Sequence, residues 1–212
     1  MAPGPEEFDE LRARVAGYYS QKLAEHGASP RGADWNDAAG QELRFEKLLQ
    51  MVDRRAKYSL NDLGCGYGAL IAHLDQRGDS FDYVGCDVSE AMIAEGRAAF
   101  AGRSDVRFVS TAGELPSADY SVASGIFNVK VDAPDQTWQA YVLATLEELD
   151  RRSRLGFAFN ALTSYSDEEK RQARLYYADP CFYFDHCKRR FSKRVALLHD
   201  YQLWEFTILV RK

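Results

Sequence analysis

The chain has no apolar run near the roughly 20 residues that cross a bilayer, which argues against a membrane-spanning helix. Its opening residues, MAPGPEEFDELRARV, are acidic and lack the basic start and apolar stretch of a secretory leader, so a cytoplasmic protein is expected. Cysteine is scarce: Cys65, Cys86, Cys181 and Cys187 show no framework spacing, and free thiols are the expectation. Cys181, His186 and Cys187 lie too close together, and lack a fourth ligand, to form a metal centre. Positive charge is also short, with 27 Lys and Arg against 32 Asp and Glu and a net charge of -5. That balance excludes a general nucleic-acid partner, because binding a phosphate backbone needs a basic surface. No repeat or low-complexity tract is present, and no linker long enough to separate two domains. Membership of an oligomer is not legible.

The 212 residues suffice for one well-buried domain. Phe8, Leu11, Val15 and Tyr18 or Tyr19 recur at helical spacing between about Glu6 and His26. After the loop HGASPRGADWND, Asn36 or Asp37 is a candidate N-cap for a helix that carries Phe45, Leu48, Leu49 and Val52. Residues 1–56 therefore form a helical cap. From residue 57 the pattern alternates: KYSLNDLG, FDYVGCDV, DVRFVS, ADYSVASGIFNV and RLGFAFNAL read as strands. ALIAHLDQR, SEAMIAEGRAAF (capped by Ser89) and the stretch after Pro134 read as helices between them. A charged helical stretch from about Asp167 to Arg190 follows, and then RVALLHDY and LWEFTILVRK. The gap between these two is too short for a crossover, so they must pair as an antiparallel hairpin. The expected fold is α/β: a seven-stranded, mostly parallel sheet closed by a C-terminal antiparallel hairpin, with helices on both faces.

The strongest chemical signal is Asp62, Leu63, Gly64, Cys65, Gly66, Tyr67, Gly68 at a strand-to-helix turn. Glycines there let the backbone approach a ligand, and the following helix start adds unpaired N–H groups. Asp87 ends the next strand about twenty residues on, where a carboxylate can accept from both hydroxyls of a ribose. The pair signifies a nucleoside-bearing cofactor. GCGYGA also fits the dinucleotide pattern G-x-G-x-x-A, so an NAD(P)-binding oxidoreductase is an alternative. Asp62 would repel a pyrophosphate and attract an amine, and the closing hairpin is foreign to ordinary dinucleotide-binding domains.

These residues resemble the class I S-adenosylmethionine (SAM)-dependent methyltransferases, whose first motif is an acid, one residue and G-x-G-x-G, and whose second is an acid ending the next strand. The resemblance runs from about Leu43 to the C-terminus. It implies SAM as cofactor, with Gly64, Cys65 and Gly66 on its methionine part, Asp62 at its amino end and Asp87 on its ribose. Val88 and Met92 would border the adenine, as would the STAGELP loop through Thr111, which replaces the usual acid, or the backbone of Ala112. Ser124 and Gly125 would lie beside the sulfonium, and Arg44 would pair with the carboxylate. The family builds its substrate cap from N-terminal helices and the segment after the fifth strand, here residues 163–191. His186 in that segment is the candidate base, since histidine titrates near neutral pH, and Asn128 could orient a substrate oxygen. Trp35, Tyr19, Tyr177 and Tyr183 are the candidate aromatic lining for a small apolar or planar acceptor, and rings also stabilise a sulfonium. The implied activity is methyl transfer to an oxygen or nitrogen of a small metabolite, with an RNA or protein methyltransferase as the alternative.

Overall fold

A computed structural model describes residues 4–35 and 37–212. Asn36, one of the two candidate caps, lies outside the described residues. Asp37 fills the role: its side chain accepts from the Gly40 N–H at 2.7 Å and starts α2 (Ala38–Leu48). Before it, α1 (Pro5–His26) runs over the sheet. The core follows as β1 (Tyr58–Leu63), α3 (Ala69–Gln76), β2 (Phe81–Cys86), α4 (Glu90–Ala99), β3 (Val106–Val109), β4 (Ala118–Ala123), α5 (Asp135–Arg152) and β5 (Ser153–Leu162). It closes with α6 (Pro180–Arg190), β6 (Arg194–Leu198) and β7 (Glu205–Arg211).

The seven strands lie in the order β3-β2-β1-β4-β5-β7-β6; β1 to β5 pair in parallel and β7 is antiparallel to both neighbours. All seven strands and the hairpin fall where the apolar runs predicted them. Strand side chains alternate between two cores. Phe157 and Phe159 of β5 and Phe206, Ile208 and Val210 of β7 face Trp138, Val142, Leu146 and Leu149 of α5. Ala158 and Leu209 point the other way, with Leu48 of α2 and Ile71 and Leu74 of α3. Helices thus cover both faces, and β4 and β5 are buried almost throughout, as central parallel strands must be.

One expectation needs correction. The stretch from Asp167 to Arg190 is not one helix. Asp179 caps α6 by accepting from the Cys181 N–H at 2.8 Å, with Pro180 as the first helical residue. Proline holds the residue before it in an extended conformation, and residues just upstream form isolated bridges, Val129 with Leu175 and Thr163 with Ala178. Among the described residues no helix is long and apolar enough to cross a membrane.

The order of the strands reverses between β1 and β4, which pair in parallel through their last residues, Leu63 and Ala123, so that the connections leaving them run in opposite directions along the sheet. In an open α/β sheet this switch point is where a crevice forms.

Candidate active site

The turn after β1 is built for close approach. Gly64, Gly66 and Gly68 all take positive φ, 80°, 55° and 90°. The N–H groups of Gly64 and Cys65 donate to the Cys86 carbonyl at 2.7 and 3.0 Å, fixing the turn against the end of β2. A Cβ on Gly64 would sit 1.9 Å from Ile126 Cγ2, so the loop after β4 closes directly on this glycine. Gly66 donates its N–H to Asp87 Oδ2 at 2.8 Å, and Ser89 donates its own to Oδ1 at 2.9 Å. Each carboxylate oxygen keeps capacity for another donor. Burial raises the Asp87 pKa, opposed by these backbone donors.

Two lobes meet over this turn. The narrow one, about 60 Å³, has Asp62, Gly64, Cys65, Gly66, Met92 and Ser124 in its wall, roofed by Tyr19, Trp35 and Tyr67. The wide one, about 540 Å³, begins at Asp87, Val88, Thr111 and Ala112 and continues between α1 and α5 past Tyr141. Tyr19, Gly64, Asp87 and Ile126 belong to both. Of the residues expected to hold a cofactor, all but Arg44 and Gly125 line one lobe or the other. Thr111 Oγ1 donates to Glu114 Oε1 at 2.8 Å, so its side chain is already engaged.

The unmet polar groups of the narrow lobe describe what it would take. Ser124 Oγ is buried with no partner, a cost that a ligand hydrogen bond removes. Asp62 is 3% exposed and receives the Tyr83 hydroxyl at 2.7 Å. Burial pushes its carboxyl from 3.8 up to about 7, opposed by the Tyr83 bond and reinforced by the Asp87 charge. A buried carboxylate beside another carboxylate lacks a cation, and an ammonium group is the natural complement. Together with the glycine cradle and the two free lone-pair positions on Asp87, these residues fit SAM, which carries an α-amino group, a ribose diol and an adenine.

A pH dependence follows. Between pH 3.8 and about 7 the folded chain holds a proton on Asp62 that the unfolded chain has released. The free energy of unfolding therefore falls as pH rises across that window, and this decline ends above it. With Asp62 at the cofactor's amino group, affinity for S-adenosylhomocysteine (SAH) is expected to move the opposite way, rising as Asp62 ionises, and Asp62→Asn is expected to bind more weakly with a flatter profile. Calorimetric titrations at stepped pH, paired with denaturant unfolding, check both signs.

Several expected residues sit elsewhere. Arg44 presents no open fork: Nε and Nη2 donate to Glu205 Oε2 and Oε1, both at 2.8 Å. Gly125 does not line a lobe, because the Trp35 ring covers it, 2.1 Å from where a Cβ would be. Asn128 is a bracket inside the fold, accepting from the Leu162 N–H at 2.9 Å and donating to Glu205 Oε1 at 3.4 Å. His186 is outside both lobes; it packs against Phe182 and Phe191, and burial lowers its pKa. It is therefore not placed to serve as a base at this cleft. Tyr183 is a core residue, 1% exposed, its hydroxyl paired with that of Tyr176 at 3.0 Å. Tyr177 accepts from the Gln172 N–H on the outside of the same segment. Tyr19 and Trp35 do line the cleft, and burial raises the Tyr19 pKa so that its hydroxyl stays protonated.

Among the residues that escaped the sequence reading are Ile126 and Tyr67, which line the narrow lobe, and Asn160 and Glu205, which stand behind it. Ile126 and Tyr67 flank glycines that drew the attention. Asn160 and Glu205 did carry a signal, since each is a lone polar residue in a buried apolar strand: Asn160 and Glu205 are 0% and 1% exposed.

Comparison with known proteins agrees with this geometry. A family model described as a methyltransferase domain matches residues 61–152, which hold the glycine turn and Asp87. Rv1506c of Mycobacterium tuberculosis (strain ATCC 25618 / H37Rv), provisionally named a methyltransferase, is 56% identical over 164 residues, covering 77% of this chain and 99% of that one. The N-methyltransferase NodS from Bradyrhizobium japonicum WM9, solved in complex with SAH, superposes with a TM-score of 0.63 at 12% identity, over 92% of this chain and 97% of NodS. A SAM-dependent methyltransferase from Aquifex aeolicus gives a TM-score of 0.56 at 16% identity, over 83% and 94% of the two chains. At such identities the superpositions speak for the fold.

Proposed function

The chain belongs to the class I SAM-dependent methyltransferases, and from that premise we propose that it methylates an oxygen or nitrogen of a small-molecule metabolite. The observation that carries this reading is the enclosure of the narrow lobe: α1 and Trp35 roof it, with Tyr19, Trp35 and Tyr67 over the glycine turn. An acceptor that reaches a methyl group there has to enter a cleft between α1 and the sheet, which suits a small molecule better than a polymer surface.

In this reading Asp62 holds the cofactor's amino group and Asp87 its ribose hydroxyls, Gly64 and Gly66 give backbone access, and Ser124 Oγ supplies a hydrogen bond. Val88 and Met92 border the adenine. The bound cofactor supplies an electrophilic methyl on a sulfonium, and Tyr19 and Trp35 in the lining are aromatic rings of the kind that stabilise such a charge. Among the described residues, the only carboxylates of the narrow lobe are Asp62 and Asp87, and no histidine lines it. Since both acids are committed to the cofactor, the protein's contribution is alignment and water exclusion rather than a dedicated base. This favours an acceptor whose nucleophilic atom is unprotonated at neutral pH, such as an aromatic amine nitrogen, because an aliphatic amine is an ammonium ion there. NodS, whose fold this chain shares, is named an N-methyltransferase.

The test uses the purified protein, SAM labelled in its methyl group, and an extract separated by size after reaction. Label in a small-molecule product distinct from SAM, and missing when the protein is left out, supports the proposal. Label confined to RNA or to protein shifts the acceptor to that class and contradicts it.

A further inference from the structure

The buried end of β7 carries a carboxylate that the cleft itself does not use. Glu205 is the meeting point of four N–H donors. Arg44 contributes two at 2.8 Å, Asn160 Nδ2 reaches Oε2 at 3.1 Å and Asn128 Nδ2 reaches Oε1 at 3.4 Å. The Arg44 and Glu205 side chains are 11% and 2% exposed. A carboxylate taken this far from water is costly and a buried ion pair is weak evidence for stability, so what the arrangement fixes in place becomes the question.

It fixes both sides of one contact. On one side the Arg44 guanidinium lies 4.1 Å from the centre of the Trp35 ring, a cation–π stack that sets the indole. On the other, Asn160 turns its Oδ1 to the Gly125 N–H at 2.6 Å and so anchors the turn after β4. The two sides then meet: Trp35 lies on Gly125, which takes φ 73°, in space a side chain would need. Trp35, Arg44, Glu205, Asn160 and Gly125 form a closed circuit. Next to it stands Ser124, with its unpartnered hydroxyl in the narrow lobe.

We infer that Glu205 is a positioning residue for the cofactor lobe: it clamps Trp35 against Gly125 by holding Arg44 behind the ring and Asn160 behind the turn. This rests on the reading of the cleft given above. Glu205 touches no substrate and acts only through its neighbours. Glutamine cannot replace it, because a carboxamide has one acceptor oxygen and would turn its NH₂ toward a converging N–H donor. A conflicting possibility is built into the same residues. If Arg44 served the cofactor carboxylate directly, Glu205 would compete for its fork, and removing the charge would strengthen binding.

The experiment is titration of the full chain with SAH, read by calorimetry and by tryptophan emission, in wild type, Glu205→Gln, Arg44→Lys, Trp35→Phe and Leu74→Ala. Leu74 lies on α3, in the core of the face away from α5, and its truncation is a control for lost stability. Trp35→Phe identifies the part of the emission change that belongs to Trp35. Glu205→Gln is expected to lose about tenfold in affinity, the factor that corresponds to about 1.4 kcal/mol, and to lose most of the Trp35 signal. Leu74→Ala keeps both. Should Glu205→Gln fail to fold, Arg44→Lys decides, since it keeps the charge but not the planar fork and is expected to show the same losses. Unchanged or tighter SAH binding in whichever of these two variants folds overturns the inference. Absence of SAH binding by the wild type instead overturns the cofactor reading beneath it.

Discussion

In calorimetric titration with SAH, Asp87→Ala is expected to bind about 2–4 kcal/mol more weakly than wild type, roughly a 30- to 900-fold loss. The magnitude comes from two effects of one carboxylate. In the proposed reading its oxygens meet both ribose hydroxyls, and hydrogen bonds to a charged group count for more than neutral ones. The same oxygens accept from Gly66 and Ser89 at 2.8 and 2.9 Å, so truncation also strands two N–H groups and loosens the glycine turn. Asp87→Asn grades these effects: its amide keeps one acceptor oxygen but turns an NH₂ toward the other backbone N–H, so it should recover only part of the loss in binding and in stability. A variant that bound SAH as tightly as wild type would remove Asp87 from the cofactor site.

Gly64→Ala carries the largest expected effect on stability, about 2–5 kcal/mol. Left-handed backbone at φ 80° costs a residue with a Cβ about 1–2 kcal/mol. The new methyl would also lie 1.9 Å from Ile126 Cγ2, an overpacking that adds about 1–3 kcal/mol. Against a total stability of about 5–15 kcal/mol, this is a substantial fraction. It should lower the melting temperature by about 10 °C. Gly66→Ala is the contrasting case. Its φ of 55° brings similar strain, but the nearest atom to its Cβ is Met92 Sδ at 3.9 Å, with nothing to displace. Its methyl is expected to enter the narrow lobe that Gly66 lines, so stability should fall by only about 1–2 kcal/mol while SAH binding is lost. Equal effects of the two alanines on both stability and binding would contradict the roles given to these glycines.

What the sequence made legible was what local chemistry determines. The change from helical spacing to apolar runs at residue 57, the glycines after Asp62, and the short gap before LWEFTILVRK locate all the strands and the cofactor turn. The misreadings share a physical cause. Arg44 has the position of a carboxylate-binding arginine, yet its partner Glu205 lies 161 residues away, and no local pattern reveals a competing acid across the fold. His186 sits on α6 three residues after Tyr183 and one before Cys187, the i and i+4 pair that this helix buries in the core. A helix that presents that face to the sheet carries its histidine to Phe182 and Phe191 rather than to the cleft. Periodicity gave the helix but not the direction in which it lies. The aromatic residues divided in the same way: Tyr19 and Trp35 roof the cleft, whereas Tyr183 became core, a choice that depends on tertiary placement and not on residue type.

The measurement that tests the central claim most directly is titration of the unmodified protein with SAH, with NADH in a parallel cell. A cleft built around Asp62, the glycine turn and Asp87 predicts saturable, one-to-one SAH binding in the range of about 1 μM, equivalent to about -8 kcal/mol, and no heat from NADH. No SAH binding, or binding of NADH at the same site, would contradict the assignment of these residues to SAM.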